Sequence, residues 1–238
     1  FIHSMKLNNQ NKSLFVQNVF DQVSNKYDLM NDIMSMGAHR IWKNSFIKWL
    51  APSKNRKLLD VACGSGDIVE RFIKYTKNKC QIYAIDPNKG MISVGKNKLI
   101  EYKNINWKIG KAENLKFKDN IFDYYTISFG IRNVSNINLA LKEAYRVLKP
   151  GGRFMCLEFS KIQNENLNKI YKLYSKKIPK IGKLIIGKSE PYEYLVNSIE
   201  NFYHQDELID LMKQNNFYKT QYRNLSGGIV AIHSGWKI

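Results

Sequence analysis

Two groups of residues have the types and spacing of a nucleoside-binding site. The first is the turn Gly64-Ser65-Gly66, which follows a mostly apolar run and precedes a helical pattern. Glycine lets a ligand approach the main chain closely, and the N–H groups of a first helical turn have no partners within the helix. The second is Asp86, which ends the apolar run 81–85. An acidic residue there accepts hydrogen bonds from ribose hydroxyls, so the two together favour a nucleoside ligand over glycines kept for packing alone.

The residues after the turn depart from the dinucleotide-binding fingerprint. Val69 stands where the third glycine of Gly-x-Gly-x-x-Gly would be, and Asp67 follows the turn directly. We expect a carboxylate at that place to repel a pyrophosphate, because like charges at short range are unfavourable. S-adenosyl-L-methionine, which carries a sulfonium and an amino acid end, fits this pattern better than NAD.

Strand and helix patterns alternate from Lys57 onward, as is typical of a parallel sheet covered by helices on both faces. The predicted parallel strands are residues 57–62, 81–86, 105–110, 122–128 and 153–159. A helix over 136–148 is expected to stop at Pro150-Gly151-Gly152. Residues 218–223 and 228–234 should then form an antiparallel pair that ends the sheet.

We expect the 238 residues to form a single domain with four parts. Residues 13–50 are predicted to be an N-terminal helical lid, and 57–160 the cofactor-binding core. Residues 161–203 should be a basic helical insertion, and 204–238 a C-terminal helix with antiparallel strands. The polar, methionine-containing stretch 27–42 is interpreted either as a helix–loop–helix connection or as a lid that contacts cofactor and substrate.

The composition is strongly basic, with a net charge of +18 and a pI near 9.7. Such a balance favours contact with nucleic acid or an anionic membrane, although a solvated lysine-rich surface would give the same numbers. The three cysteines are widely separated and lie in or beside apolar runs. We therefore predict buried small side chains in a reducing compartment, with neither a disulfide framework nor a metal site.

Lysines alternate with apolar residues over 161–190, where Glu165 is the only acidic residue before Glu190. One interpretation is a basic amphipathic helix that packs on the domain. The other is a segment that lies on a membrane surface, since basic amphipathic stretches bind anionic lipid at about 1 kcal/mol per lysine near the surface. The residues alone leave both open.

Several motifs together resemble the ubiquinone/menaquinone C-methyltransferase family. They are Tyr27-Asp28-x-Met30-Asn31-x-x-Met34-Ser35-x-x-x-His39-x-x-Trp42, Phe129-Gly130-Ile131-Arg132-Asn133-Val134, Arg146-Val147-Leu148-Lys149-Pro150-Gly151-Gly152-Arg153-Phe154-x-x-Leu157-Glu158-x-Ser160, and Gly227-Gly228-Ile229-Val230-Ala231-Ile232-His233-x-Gly235-Trp236-Lys237. The similarity begins near Phe20 and continues over nearly all of the chain. Its specificity lies in long motifs matched in order, since Pro-Gly-Gly alone occurs in many methyltransferases of this fold.

The resemblance implies a Rossmann-like α/β class I methyltransferase fold, with a seven-stranded, mostly parallel sheet and an antiparallel last strand. It implies S-adenosylmethionine as methyl donor and a lipophilic, polyprenylated benzoquinol or naphthoquinol, methylated on a ring carbon, as acceptor. The cofactor-binding residues that it assigns by position are Gly64, Ser65 and Gly66 for the methionine end, Asp86 for the ribose, Lys111 and Ala112 for the adenine edge, and Ser128 below the methionine moiety. Lys111 replaces the Asp or Asn usual in the family, and a lysine cannot accept a hydrogen bond from the adenine amino group.

The predicted catalytic residues are Arg132, Asn133 and Tyr27. Arg132 would stabilise the ionised ring hydroxyl by its charge, and Asn133 would orient the ring oxygen. Tyr27, Asp28 and His39 are the candidates for proton removal. For Arg132 the alternative is a structural ion pair with a carboxylate, against which we set its place at the carboxyl end of a strand.

The resemblance also implies where the protein is located and which partners it has. The expected location is the cytoplasmic face of a bacterial inner membrane, or the matrix side of a mitochondrial inner membrane. Few positive charges precede Asp21, the first acidic residue, so the N-terminal segment gives little support for a targeting peptide. An anionic membrane surface, a homodimer or a quinone-biosynthesis complex are the expected partners, and nucleic acid is not. The alternatives are an RNA or other small-molecule methyltransferase of this class, and a non-catalytic component of a quinone-biosynthesis assembly.

Overall fold

The computed structural model describes residues 31–33, 35–187 and 189–238, with only the backbone of Ile185 and Ile186. Tyr27 and Asp28 therefore lie outside the described residues, as does most of the predicted N-terminal lid. The helices are α1 (His39–Leu50), α2 (Asp67–Thr76), α3 (Lys89–Lys98), α4 (Ile137–Val147), α5 (Glu165–Ser175), α6 (Ile178–Ile186), α7 (Glu190–Glu200) and α8 (Gln205–Gln214). The strands are β1 (Lys57–Val61), β2 (Gln81–Asp86), β3 (Ile105–Ile109), β4 (Phe122–Ser128), β5 (Leu148–Phe159), β6 (Tyr218–Leu225) and β7 (Val230–Trp236).

In the described part of the chain, these strands form one seven-stranded sheet in the order β3-β2-β1-β4-β5-β7-β6. The strands β1 to β5 pair in parallel, whereas β7 is antiparallel to both β5 and β6. This confirms the predicted mostly parallel sheet and its antiparallel ending. The order also shows that β7, although last in the sequence, lies between β5 and β6.

The sheet reverses its strand order beside β1, and this positions the site. Both neighbours of β1 pair with it in parallel, and Val61 is level with Ile85 of β2 and Ile127 of β4. The carboxyl ends of the three strands therefore meet at one edge, with loops that leave in opposite directions. Ligands of open α/β sheets bind at such a switch point.

Helices pack their apolar faces against the two faces of this sheet. The helix α2 buries Ile68, Val69, Phe72 and Ile73, and α4 buries Ala140, Leu141, Ala144 and Val147 at helical spacing. Burying each large apolar side chain contributes about 1.5–3 kcal/mol. The cysteines Cys63, Cys80 and Cys156 are free thiols buried among these groups, as the sequence predicted.

The strand β5 begins at Leu148, earlier than the predicted Arg153. The Pro150-Gly151-Gly152 turn is absorbed into the strand, because Gly151 adopts a φ of 77° and its N–H donates to the Lys237 carbonyl at 2.8 Å. The pairing with β4 then shifts its register between Phe122 and Tyr124. Glycine allows this positive φ without strain, so the turn residues become part of the strand, and the predicted helix ends before them at Val147.

The basic insertion consists of three described helices, α5, α6 and α7, where the sequence suggested one amphipathic helix. Gly187 ends α6 in the left-handed conformation, with a φ of 79°, and Pro191 stands in the first turn of α7. Within α6, a Cβ at Gly182 would lie 2.1 Å from the Tyr192 ring, so glycine permits close packing of α6 on α7. The described helices include none with the length and apolar content needed to cross a membrane.

Candidate active site

A cleft lies at the switch point, at the carboxyl ends of β1, β2 and β4. It encloses about 840 Å³, its open mouth included. Its walls are formed by Val61, Ala62, Gly64, Asp86, Pro87, Asn88, Met91, Gly110, Lys111, Ala112, Glu113, Phe129, Gly130, Asn133, Val134 and Ser135. Of the predicted site residues, the structure thus brings together Gly64, Asp86, Lys111, Ala112 and Asn133.

Asp86 joins the turn after β1 to the start of α3. Its Oδ2 accepts a hydrogen bond from the Gly64 N–H at 2.9 Å, and its Oδ1 accepts one from the Asn88 N–H at 2.9 Å. Burial raises the pKa of the Asp86 carboxyl to about 6, against the effect of these two hydrogen bonds. A carboxylate has about four acceptor positions, so Asp86 retains the capacity to accept hydroxyl groups of a ligand in the cleft.

Asn88 is a functional residue that the sequence reasoning missed. Its side-chain oxygen accepts the Met91 N–H at 2.9 Å and caps the N-terminus of α3. This cap fixes the backbone that donates to Asp86 and brings Met91 into the cleft wall. The signal was present, since an asparagine just before a helical pattern is a typical N-cap.

The turn 62–66 has three residues with positive φ: Ala62 at 52°, Gly64 at 54° and Gly66 at 81°. Gly66 donates its N–H to the Cys63 carbonyl at 2.9 Å, and a Cβ on it would lie 2.8 Å from the Trp107 ring. Ser65 and Gly66 do not appear in the cleft wall, and Ser65 is buried. Their place in the structure is in the turn and its packing, whereas Gly64 faces the cleft.

Gly130 lets the β4 loop approach this turn. A Cβ at Gly130 would lie only 2.4 Å from the Ala62 Cβ. The close approach sets the width of the cleft between β1 and β4, where both residues form the wall. The sequence reasoning assigned Gly130 to a motif without seeing this steric requirement.

The opposite end of the cleft is formed by the loop after β3. Lys111 and Ala112 line it, and Ala112 is buried; their contact with the adenine edge stays a prediction. Glu113, which was not singled out, accepts the Ser135 N–H at 2.6 Å through its Oε1. This bond joins the β3 and β4 loops across the cleft, so Glu113 holds together two walls of a site that no local sequence pattern connects.

Asp67 does not play the part that the sequence suggested. Its Oδ2 accepts from Lys43 at 2.6 Å and its Oδ1 from Lys98 at 2.9 Å, and it is not in the cleft wall. Burial would raise the pKa of Asp67, but the charges of Lys43 and Lys98 hold it well below its usual range. Since its charge is compensated by lysines, our argument that Asp67 would repel a pyrophosphate was wrong.

Arg132 forms the ion pair that the sequence reasoning had set aside. Its guanidinium donates to Glu158 Oε1 at 2.5 Å and to the Phe129 carbonyl at 3.1 Å, and its Nε donates to Ser198 Oγ at 3.3 Å. Burial raises the pKa of Glu158, and the charge of Arg132 opposes that rise. Glu158 on β5 and Arg132 after β4 meet because the two strands pair in parallel. A position at a strand end is thus compatible with a structural ion pair.

Two further predicted site residues, Ser128 and Asn133, lie on either side of Arg132 in the sequence. Asn133 lines the cleft, and its Oδ1 accepts the Tyr194 hydroxyl of α7 at 2.9 Å. Ser128, at the end of β4, has a buried hydroxyl without a hydrogen-bond partner among the described residues. Ser128 is not among the residues that line the cleft, so its predicted cofactor role stays a prediction.

His39 is the described member of the three candidates for proton removal. Its Nε2 lies 2.8 Å from Asp32 Oδ1, and its Nδ1 is buried without a partner in the described structure. Burial and the charge of Lys43 lower the pKa of His39, which favours the neutral imidazole that a base requires. The roles of Tyr27 and Asp28 stay predictions, since both lie outside the described residues.

The residues of the cleft fit S-adenosylmethionine. Asp86 offers a carboxylate for ribose hydroxyls, and Pro87, Met91 and Ala112 give apolar walls for a purine. The fold and the cleft together define a class I methyltransferase. Solved structures with the same fold include SAM-dependent methyltransferases from Thermotoga maritima (TM-score 0.64, 22% identity, 93% of this chain and 99% of that one) and Aquifex aeolicus (TM-score 0.64, 16% identity, 89% and 98%).

The sequence comparisons narrow this class to one family. The model of the ubiE/COQ5 methyltransferase family matches residues 4–237. The ubiquinone/menaquinone biosynthesis C-methyltransferase UbiE of Rickettsia bellii is 50% identical over 98% of this chain and 96% of its own length. The Brucella canis protein of the same name is 46% identical over 95% and 87%. The chain belongs to the ubiE/COQ5 methyltransferase family, as its motifs indicated, and S-adenosylmethionine is its cofactor.

Proposed function

We propose that this protein transfers a methyl group from S-adenosylmethionine to a ring carbon of a polyprenylated quinol in ubiquinone or menaquinone biosynthesis. The acceptor would be 2-polyprenyl-6-methoxy-1,4-benzoquinol, demethylmenaquinol or both. The observation that carries the proposal is the similarity over nearly the whole length to proteins named for this reaction. The cleft with Asp86 in its wall supports it from the structure.

The residues of the cleft would hold the donor in the following way. Asp86 would bind the ribose, the Gly64 turn would approach the methionine end, and Ala112 with Met91 would enclose the adenine. When bound, S-adenosylmethionine supplies a methyl group on a sulfonium, which the ring carbon takes up as the carbon–sulfur bond breaks. Holding the two reactants at a fixed distance and angle contributes much of the acceleration in reactions of this kind.

The acceptor must be activated, because a phenol of pKa ~10 is ionised only to about one part in a thousand at neutral pH, a handicap of about 4 kcal/mol. Arg132 is the proposed donor to the ring oxygen. Its ion pair with Glu158 leaves little net charge, so its contribution is through oriented N–H groups rather than a bare positive field. Asn133 would orient the same oxygen, and His39 or Tyr27 would take the proton released from the ring.

The second part of the proposal concerns the membrane. On α5 and α6, Ile170, Leu173 and Leu184 are 64%, 66% and 87% exposed. Lys169, Lys176, Lys177 and Lys180 are exposed on the same two helices and their junction. Exposed apolar groups beside lysines suit an anionic bilayer surface, and a polyprenylated acceptor resides in the bilayer. The inner-membrane location and a homodimer or multi-enzyme complex remain proposals that this surface would serve.

The test is methyl transfer from labelled S-adenosylmethionine to short-tailed benzoquinone and naphthoquinone analogues, each with and without prior reduction, with products identified by mass spectrometry. We expect a carbon-methylated product from the reduced acceptor alone, because only the quinol ring is electron-rich. The preferred ring would assign the pathway. Tight cofactor binding without transfer to any quinol would contradict the proposal.

A further inference from the structure

One helix of the basic insertion, α7, contacts both residues that are proposed to act on the acceptor from the end of β4. Its Tyr194 hydroxyl donates to Asn133 Oδ1 at 2.9 Å, and its Ser198 Oγ accepts from Arg132 Nε at 3.3 Å. Tyr194 and Ser198 are four residues apart on α7, so they lie on the same face of the helix. Two neighbours on this face therefore hold two consecutive residues of the site.

The segment that α7 holds, Ile131–Asn133, is a single 3₁₀ turn after β4. A single turn has few hydrogen bonds of its own, and the Asn133 N–H donates to the Gly130 carbonyl at 3.0 Å. Such backbone bonds fix the path of the chain, but they do not fix the direction of a side-chain amide. The direction of the Asn133 amide therefore depends on a partner outside the turn, and Tyr194 is such a partner.

The helix α7 is itself anchored on the domain. It buries Tyr192, Leu195 and Ile199. Near its C-terminus, Lys161, which follows β5, donates through Nζ to the carbonyl of Ile199 at 3.3 Å and to that of Glu200. Side chains that are locked by packing and hydrogen bonds can hold the groups of a site in a defined geometry. The polar face of α7 thus has a fixed place relative to the end of β4.

The protons of the two hydroxyl groups have defined directions. Burial raises the pKa of Tyr194 to about 12, so its hydroxyl keeps the proton at neutral pH and donates it to Asn133 Oδ1. Ser198 donates its own proton to the Leu195 carbonyl at 2.8 Å, which leaves a lone pair for Arg132. An amide accepts through its oxygen and donates through its nitrogen. Because the oxygen is turned to Tyr194, the NH2 group of Asn133 is the end that remains for the cleft that Asn133 lines.

We propose that Tyr194 is a positioning residue, which fixes the Asn133 amide so that its NH2 group donates to a ring oxygen of the acceptor. Ser198 supports Arg132 in the same way, although more weakly, because Glu158 also holds that guanidinium. This inference rests on the proposed function and adds the residues that orient its two acceptor groups. The insertion, which lies outside the cofactor-binding core, is then needed for methyl transfer but not for binding of S-adenosylmethionine.

The experiment compares Tyr194→Phe, which removes only the hydroxyl, with Tyr203→Phe, which changes a tyrosine that lies just beyond α7 and is 40% exposed. We expect Tyr194→Phe to lower kcat for the reduced acceptor about tenfold, the upper end of what one neutral hydrogen bond contributes. KM should stay nearly unchanged, because the bond acts on alignment in the transition state rather than on ground-state binding. Ser198→Ala should lose less, Tyr203→Phe should behave as wild type, and all three variants should keep the wild-type S-adenosylmethionine Kd and Tm.

A double-mutant cycle tests whether Tyr194 acts through Asn133. In the Asn133→Ala background, Tyr194→Phe should cause no further loss of kcat, since the amide that it orients is gone. A loss as large as in the wild-type background would overturn the inference, because Tyr194 would then act independently of Asn133. Wild-type kcat in Tyr194→Phe would also overturn it. So would a weaker S-adenosylmethionine Kd with an unchanged kcat, since the amide would then serve the donor.

A spectroscopic measurement tests the same contact without turnover. The side-chain amide signals of Asn133, assigned by their absence in Asn133→Ala, are compared by NMR in nitrogen-labelled wild type, Tyr194→Phe and Tyr203→Phe. We expect one sharp pair of signals in wild type and Tyr203→Phe, and a shifted and broadened pair in Tyr194→Phe, because the released amide turns. Unchanged signals in Tyr194→Phe would overturn the inference. A wild type that methylates no quinol, with signals that do change in Tyr194→Phe, would contradict the proposed function and still support Tyr194 as the residue that orients Asn133.

Discussion

Arg132 and Glu158 form an ion pair in which both side chains are almost fully buried, 4% and 1% exposed, with Nη1 and Oε1 at 2.5 Å. The pair links the end of β4 to the end of β5 and holds the segment that carries Asn133 into the wall of the cofactor cleft. A buried pair of this kind contributes little net stability, but the loss of one partner leaves an uncompensated charge. The pair therefore ties the stability of the domain to the geometry of its site.

Glu158→Gln should lower the free energy of unfolding by about 3 kcal/mol, because it leaves the buried Arg132 charge without a counter-charge. The measurement is chemical denaturation at neutral pH. Asp210→Asn, which breaks the exposed pair with Lys213 at 3.2 Å, is the control and should change stability by less than about 0.5 kcal/mol. Equal stability of Glu158→Gln and wild type would show that the pair is not structurally important.

Asp86→Asn should weaken S-adenosylmethionine binding by about 2 kcal/mol, since the hydrogen bonds to the ribose would lose their charge. In wild type, the backbone N–H groups of Gly64 and Asn88 both donate to the Asp86 carboxylate. In the variant, the side-chain NH2 would face one of these two donors. The affinity is measured by calorimetry. Asp206→Asn, an exposed position in the first turn of α8, should bind as wild type, and an unchanged Kd in folded Asp86→Asn would refute the ribose assignment.

The wild-type affinity for S-adenosylmethionine should also fall as the pH is lowered through about 6, where the buried Asp86 takes up a proton. The charged form is the better acceptor for hydroxyl groups, so protonation weakens the complex. A titration of Kd from pH 5 to 8 checks this. The dependence should be lost in Asp86→Asn, which has no proton to gain at that position.

Asp60→Asn should become more stable relative to wild type as the pH rises. Asp60 is buried in β1, its Oδ1 accepts from Thr126 at 2.6 Å and its Oδ2 has no partner among the described residues. Burial raises the pKa of Asp60 to about 7, above the value of about 3.9 in an unfolded chain. Wild type therefore loses stability as the pH rises from about 4 to 7, and the neutral variant does not. Parallel stability curves for the two proteins over that range would contradict this reading.

Leu184→Asp should weaken binding to phosphatidylglycerol vesicles, because it places a negative charge on the most exposed apolar side chain of the proposed membrane surface, 87% exposed. Vesicle co-sedimentation at low and high salt measures the effect, which should be at least tenfold at low salt. Ile100→Asp is the matched control, since Ile100 is 63% exposed next to β3 at the other edge of the sheet. Equal losses in the two variants would mean that net charge alone decides membrane binding.

The sequence was sufficient for the sheet and for the position of the cofactor cleft at the carboxyl ends of its strands. The turn at Gly64 and the acidic end of β2 are local patterns, and parallel strands place such ends at one edge. The contacts of Glu113 with Ser135, and of Gly130 with Ala62, could not be predicted, because they join loops that the sequence does not connect. The same holds for Asp67, whose partners Lys43 and Lys98 come from other helices.

The case of Arg132 shows a further limit. Its position after β4 was predicted correctly, but its partner depends on the side chain that β5 presents at the same edge. Residues such as Tyr194 carry no motif, and their importance follows only from a hydrogen bond to a residue that lines the cleft. Positions of strand ends are thus readable from the sequence, whereas the pairing of polar groups between them requires the three-dimensional arrangement.

The position of β7 between β5 and β6 has a consequence for synthesis on the ribosome. Until Val230–Trp236 has emerged, β5 can pair only with β4, and its other edge is an open template for foreign strands. The indole of Trp42 likewise finds its partner, Ser226 Oγ at 2.8 Å, only near the other end of the sequence. The nascent chain is therefore most prone to aggregation when nearly all of its cofactor-binding residues have been made, and a stop codon before β7 should yield insoluble protein rather than a partly active enzyme.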